Sequence, residues 1–245
     1  MTPQKVLFVL TSTATMGVGG KPTGLWLEEF TIPYFAIHDA GYSIDIVSTA
    51  GGAVPIDPRS VGGESARQLA ENGRYLNDPQ LVATLAETPQ VEEVRFGDYA
   101  AIFLPGGHGT MWDLPKSQTL ADGLVELFVA GKPVAAVCHG PAGLVGATLP
   151  DGRPLVAGRY ISAFTTEEEV AVGLRNAVPF LLDARLAELG AHLVKGEPFK
   201  PTAVENGNLI TGQNPQSARA AAALLVAELK QRSAVAAEEE GRAAG

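Results

Sequence analysis

Apolar residues fall in short blocks closed by glycine, proline or a polar turn. KVLFVL (Lys5–Leu10), SIDIVS (Ser43–Ser48), AIFLP (Ala101–Pro105) and PVAAV (Pro133–Val137) are too short for helices. Short, mostly apolar runs of this kind predict strands of a parallel sheet buried on both faces. Helical spacing fills the gaps, over Leu25–Ala40 with Gly41 as its stop and over Ser117–Ala130 with Gly131 as its stop. Pro33 is expected to kink the first helix or to sit near its beginning. Further strands are expected at Tyr160–Ala163 and Leu209–Thr211, and further helices around Pro179–Leu189 and Pro215–Lys230. Strands alternating with helices imply right-handed crossovers, hence a single-domain α/β fold, a flavodoxin-like three-layer sandwich with a mostly parallel sheet. Residues 51–96 exceed what a crossover needs, so they predict an excursion over one edge of the sheet. The domain is expected to span 1–232, followed by a flexible tail, 233–245, rich in Ala, Glu and Gly.

A chain of 245 residues, 46% hydrophobic, is long enough for one substantial core. The formal net charge of −9 argues against a nucleic-acid surface, which needs clustered Lys and Arg. The apolar runs are too short for a membrane span or a signal-peptide core. One cysteine cannot form an internal disulfide. The expectation is a soluble, cytoplasmic protein.

The informative stretch is PVAAVCHGPAGLVG, Pro133–Gly146. A strand ends at Val137, Cys138, His139 and Gly140 make an abrupt turn, and a helix is expected to begin. Such an elbow presents its side chain at the carboxyl end of the sheet, where open α/β folds keep their sites. A helix N-terminus beneath the sulfur would favour thiolate, so Cys138 is expected to titrate below the roughly 8.5 of a free cysteine. Lone cysteines are often inert buried thiols; the elbow is what argues for a nucleophile. LPGGHGT, Leu104–Thr110, should lie beside it, with Gly106 and His108 lining the cleft and backbone N–H groups of Gly107 and His139 forming an oxyanion hole. There is no GxxxxGK[ST] phosphate loop and no HExxH, so neither a nucleotide nor a required metal is expected. Ordinary structural roles are expected for His38 and His192.

LPGGHGT, AAVCHGPA and the spacing between them resemble the ThiJ/PfpI superfamily, related in fold to class I glutamine amidotransferases. TGLWLEEFTIPY, AGYSIDIVSTAGGAVPIDPRS, GHGTMWDLP and ISAFTTEEE are similar, more narrowly, to the branch containing glutathione-independent glyoxalase III enzymes and heat-shock chaperones. The resemblance covers about Lys5 to Glu228. It implies a catalytic set of Cys138, His139 and a glutamate from the first helix, which the Gly24 and Pro33 spacing puts at Glu29 rather than Glu28. A supporting acid maps best onto Glu169, in the run Glu167–Glu168–Glu169. Two departures stand out: Ala136 occupies a position where amidotransferases often carry glycine, and no downstream His-x-Glu pair exists, since Leu193 and Val194 follow His192. The resemblance implies a small reactive carbonyl substrate, such as methylglyoxal, converted to a 2-hydroxy acid without a cofactor. It also implies a homodimer, with holdase binding of unfolded proteins, protein deglycation or amide hydrolysis as the alternatives.

Overall fold

The computed structural model describes residues 4–64 and 68–243, with side chains through Val235. Its strands are β1 (Lys5–Leu10), β2 (Ser43–Ser48), β3 (Ala101–Leu104), β4 (Val134–Val137), β5 (Tyr160–Ile161), β6 (His192–Leu193), β7 (Ala203–Asn206) and β8 (Leu209–Gly212). Six form one sheet in the order β2-β1-β3-β4-β8-β7. Every pairing in it is parallel except the β7–β8 hairpin at one edge. β5 and β6 pair apart as a short two-stranded sheet, so the strand expected over Tyr160–Ala163 is shorter than its apolar run.

Alternation along each strand sends side chains to two cores. Val6, Phe8 and Leu10 of β1 meet Phe103, Val137 and Ile210 on one face, covered by the helices Leu27–Asp39 and Ala218–Ala243. Leu7 and Val9 meet Ile102, Leu104 and Ala136 on the other, covered by the helix Gln118–Val129. Phe8 stacks on Phe103 at 5.2 Å and meets Phe30 edge-on at 5.8 Å, which seats the first helix on the sheet. This is the three-layer sandwich expected from the pattern. The excursion after β2 holds the short helices Ala70–Leu76 and Pro79–Ala86 and a 3₁₀ turn, Pro58–Ser60. Its start is sewn to the first helix's entry, where Leu25 N–H donates to Pro55 O (2.7 Å) and Asp57 N–H to Leu25 O (2.9 Å).

Three details depart from the pattern or qualify it. Pro33 sits in the interior of the first helix, where it removes the N–H that the Glu29 carbonyl would accept. The last helix continues from Ala218 to Ala243, through the backbone of most of residues 233–245. Beyond Cys138 the chain forms a seven-residue 3₁₀ helix, Gly140–Gly146, rather than an α-helix. Its glycines at 140, 143 and 146 recur every three residues, the 3₁₀ period, and form one small face. That face lies against Leu104, Leu114, Pro115 and Leu120. Among the described residues, no helix is long and apolar enough to cross a membrane.

A Cβ at Gly140 would lie 2.1 Å from the carbonyl oxygen of Leu104, a backbone atom that cannot swing away. Gly140→Ala is therefore expected to destabilise the fold by about 1–3 kcal/mol, as overpacking of a tight core does. Chemical denaturation checks this; an unchanged midpoint would show that the elbow has room the structure does not display.

Candidate active site

Cys138 follows β4 directly and adopts φ = 60°, one of two positive-φ non-glycine residues among those described, the other being Phe199. A left-handed cysteine costs on the order of 1–2 kcal/mol and persists only where its surroundings hold it. Here its N–H donates to Gly212 O and its carbonyl accepts from Phe164 N–H, both at 2.9 Å. The turn aims Sγ at a cavity of about 220 Å³ bounded by Trp26, Arg59, Gly107, His108, His139, Phe164, Val172 and Phe199.

Two side chains meet the sulfur, His139 and Glu29. His139 Nδ1 lies 3.2 Å from Sγ, and its Nε2 bonds Glu169 Oε2 at 2.9 Å. Glu169 comes from the short helix Thr166–Ala171, which starts with a capping box between Thr165 and Glu168. Its other oxygen, Oε1, bonds His108 Nε2 at 2.8 Å. Burial alone would push the Glu169 carboxyl up; the two imidazoles bonded to it outweigh that and bring it from 4.5 down to about 2. His108, by burial first and then by the adjacent His139, falls from 6.5 to about 4 and is neutral near pH 7.

Glu29, fully buried, enters from the other side. Its Oε2 accepts the Gly106 N–H at 2.8 Å, an approach open only to glycine, since a Cβ there would sit 2.7 Å from that oxygen. Among the described residues, the thiol of Cys138 is the one group that engages the carboxyl besides this N–H. Burial raises the Glu29 carboxyl well above its ordinary value, so it holds a proton near neutrality. Glu28 points elsewhere and accepts from Trp26 Nε1 at 2.9 Å.

Cys138 differs from the sequence expectation. Burial pushes its thiol up, and negative charge on Glu29 pushes it further in the same direction. The cause is that the elbow leads into a short 3₁₀ helix inside a closed site, with carboxyl groups rather than a solvated helix N-terminus around the sulfur. A thiolate is favourable here only while Glu29 keeps its proton and His139 accepts the one that the sulfur gives up.

All the residues singled out from the sequence (Cys138, His139, Glu29, Glu169, Gly106, Gly107 and His108) lie together, and the Glu169 reading within the acidic run fits the hydrogen bonds. Glu168, its neighbour, is engaged differently, accepting from Phe199 N–H and Asn214 Nδ2 at 2.8 Å each. It anchors the strained Phe199 at the cavity wall. His38 is exposed on the first helix and His192 lies in β6. His108, His139 and Glu169 offer ligand atoms within 4.8 Å of one another, but those atoms satisfy one another as hydrogen-bond partners and we assign them no metal. Sequence reasoning missed Arg59, Trp26, Phe164 and Phe199. Arg59 stood inside the PIDPRS motif, and nothing local placed that loop over the elbow.

Fold and site together define an open α/β protein with a buried cysteine–histidine–carboxylate array at a strand-end elbow. The chain belongs to the DJ-1/PfpI family, whose model matches residues 23–228. It is 33% identical over 237 residues to the Saccharomyces cerevisiae protein named glutathione-independent glyoxalase HSP31, covering 94% of this chain and 100% of that one. Among solved structures, Francisella tularensis Rapid Encystment Protein 24 kDa superposes with a TM-score of 0.88 at 35% identity, covering 92% of this chain and 99% of that one. Glyoxalase III from Candida albicans superposes with a TM-score of 0.83 at 29% identity, covering 91% and 96%.

Glu169→Gln leaves one acceptor oxygen for two histidine partners. It should cost about 1–3 kcal/mol at neutral pH, the penalty of a buried unpaired donor. Because folding lowers the Glu169 pKa from 4.5 to about 2, its contribution is present above 4.5 and is lost as pH falls toward 2. Denaturation measured against pH should show that loss in the native sequence and not in the variant. Superimposable curves would remove the assigned role.

Proposed function

We propose that this protein converts a small 2-oxoaldehyde, methylglyoxal or a close analogue, to the 2-hydroxy acid without glutathione. The observation that carries the reading is the buried Glu29 carboxyl, whose hold on a proton burial strengthens, on one side of a thiol whose other side meets the His139–Glu169 pair. The glyoxalase names of the yeast and Candida relatives support it. A cytoplasmic setting, where a lone thiol stays reduced, suits it.

His139 Nδ1 takes the Cys138 proton, and the thiolate adds to the aldehyde carbon, C1, giving a hemithioacetal. The N–H groups of Gly107 and His139 steady the developing oxyanion. Glu29 gives that oxygen its proton and, now a carboxylate, removes the hydrogen from C1. The electron pair moves toward C2, whose oxygen takes the proton held by His139, so that an enediol forms. Glu29 returns its proton to C2 while the C1 hydroxyl passes its own to His139, which leaves a thioester. Glu29, now a carboxylate, takes a proton from water as that water's oxygen attacks C1, and His139 returns its proton to the departing sulfur, so the thioester is cleaved and thiol, Glu29 and His139 are all restored. One water is added overall; C1 is oxidised as C2 is reduced, so the balance needs no external redox partner. The cavity's apolar walls, Trp26, Phe164, Val172 and Phe199, shield the enediol from bulk solvent.

The purified protein should form lactate from methylglyoxal with no glutathione present, and Cys138→Ala should abolish this. Glu29→Gln keeps the size and removes the proton carrier, so turnover should fall by roughly 10²-fold or more. Glu28→Gln should stay within a few-fold. Equal losses at both positions, in folded protein, would refute the proton-carrier assignment.

A further inference from the structure

Arg59 reaches the cavity from the Pro58–Ser60 turn. Its Nε donates to Asp57 Oδ1 at 3.0 Å and its Nη2 to Asp57 Oδ2 at 2.6 Å; Asp57 is fully buried and also accepts the Thr23 hydroxyl at 2.9 Å. The guanidinium lies 5.9 Å from the Trp26 ring centroid. This clamp sets Nη2 at 3.1 Å from Nδ1 of His108. A guanidinium has only donors, so Nδ1 must accept. The single ring proton is then on Nε2, the atom that meets Glu169 Oε1 at 2.8 Å. A unidirectional chain of donors therefore runs from Arg59 through His108 to the carboxylate that His139 also uses.

We propose that Arg59 is a positioning residue of the active site: by donating to Nδ1 of His108 it keeps that ring neutral and reserves the Glu169 charge for His139. The proposal rests on the cysteine chemistry described above, in which His139 becomes positive when it takes the thiol proton. A second proton on His108 would put like charges on rings whose centroids are 4.0 Å apart, and would draw Glu169 into a pair with His108 instead. The charged and titratable groups around His108 are Arg59 and Asp57 from the excursion, Cys138 and His139 from the elbow, Glu169 from the Thr166–Ala171 helix, and Glu29 from the first helix behind Gly106. Of these Arg59 alone bonds Nδ1, the atom where the second proton would go. Burial and then the neighbouring His139 are the larger causes of the low His108 pKa, about 4, and the Arg59 charge acts in the same direction.

The test uses the full chain as Arg59→Gln and Arg59→Lys, each with and without His108→Asn. Histidine NMR follows the His108 midpoint and tautomer, and kcat/KM for methylglyoxal is measured against pH. Removing the cation should raise the His108 midpoint by about one pH unit or more, with the acidic limb of kcat/KM moving upward with it. Arg59→Lys, which keeps a charged donor, should restore most of that shift. In the His108→Asn background, Arg59→Gln should move no limb. A uniform loss of turnover at every pH with an unmoved His108 midpoint would overturn the proposal, as would a limb shift that persists without His108. If methylglyoxal is not turned over at all, the functional reading fails, while the NMR midpoint still decides whether Arg59 controls His108.

Discussion

A carboxyl group with no cation beside it among the described residues is held out of water against a thiol, and the site is arranged around that constraint. Glu29 is tolerable there because it keeps its proton and because Gly106 N–H meets its second oxygen. That contact requires a glycine at 106, a first helix seated by aromatic packing on β1 and β3, and a glycine loop lying flat beneath it. Sulfur and carboxyl together carry at most one negative charge comfortably, so a proton moved onto one must leave the other or go to His139. Such shared-proton coupling is what a reaction moving hydrogen between adjacent carbons needs.

The opposite wall solves the reverse problem. Glu169 is buried yet ionised, because two imidazoles bond its two oxygens. Glu29 and Glu169, two of the carboxyl groups near Cys138, are thus driven apart in pKa by their surroundings, one up and one down, the general sign of separate acid–base roles. Among the described residues, the non-glycine positions with positive φ are Cys138 at the elbow and Phe199 at the cavity wall, the latter held through the buried Glu168.

No His-x-Glu pair follows in the sequence. The histidine beside the sulfur comes from the elbow itself and its carboxylate partner from a short capped helix after β5, so Cys138, His139 and Glu169 assemble within residues 138–169, whereas Glu29 and Arg59 come from the first sixty residues.

What the sequence determined alone was periodic or local. Short apolar blocks alternating with helical stretches specified a parallel sheet between two helical layers, because side-chain periods of 2 and 3.6 are properties of neighbouring residues. An abrupt turn after an apolar strand likewise identified Cys138, although the segment beyond it is a 3₁₀ helix rather than the one expected. Glu29 and Glu169 were legible only through the family motif, since nothing in a run of helix-face carboxylates says which one is buried. Tertiary structure decided the rest: the raised thiol, the neutral His108, the ionised Glu169 and the arrival of Arg59. Each is set by desolvation and by charges brought within a few ångströms from distant parts of the chain, and neither quantity exists until the layers close.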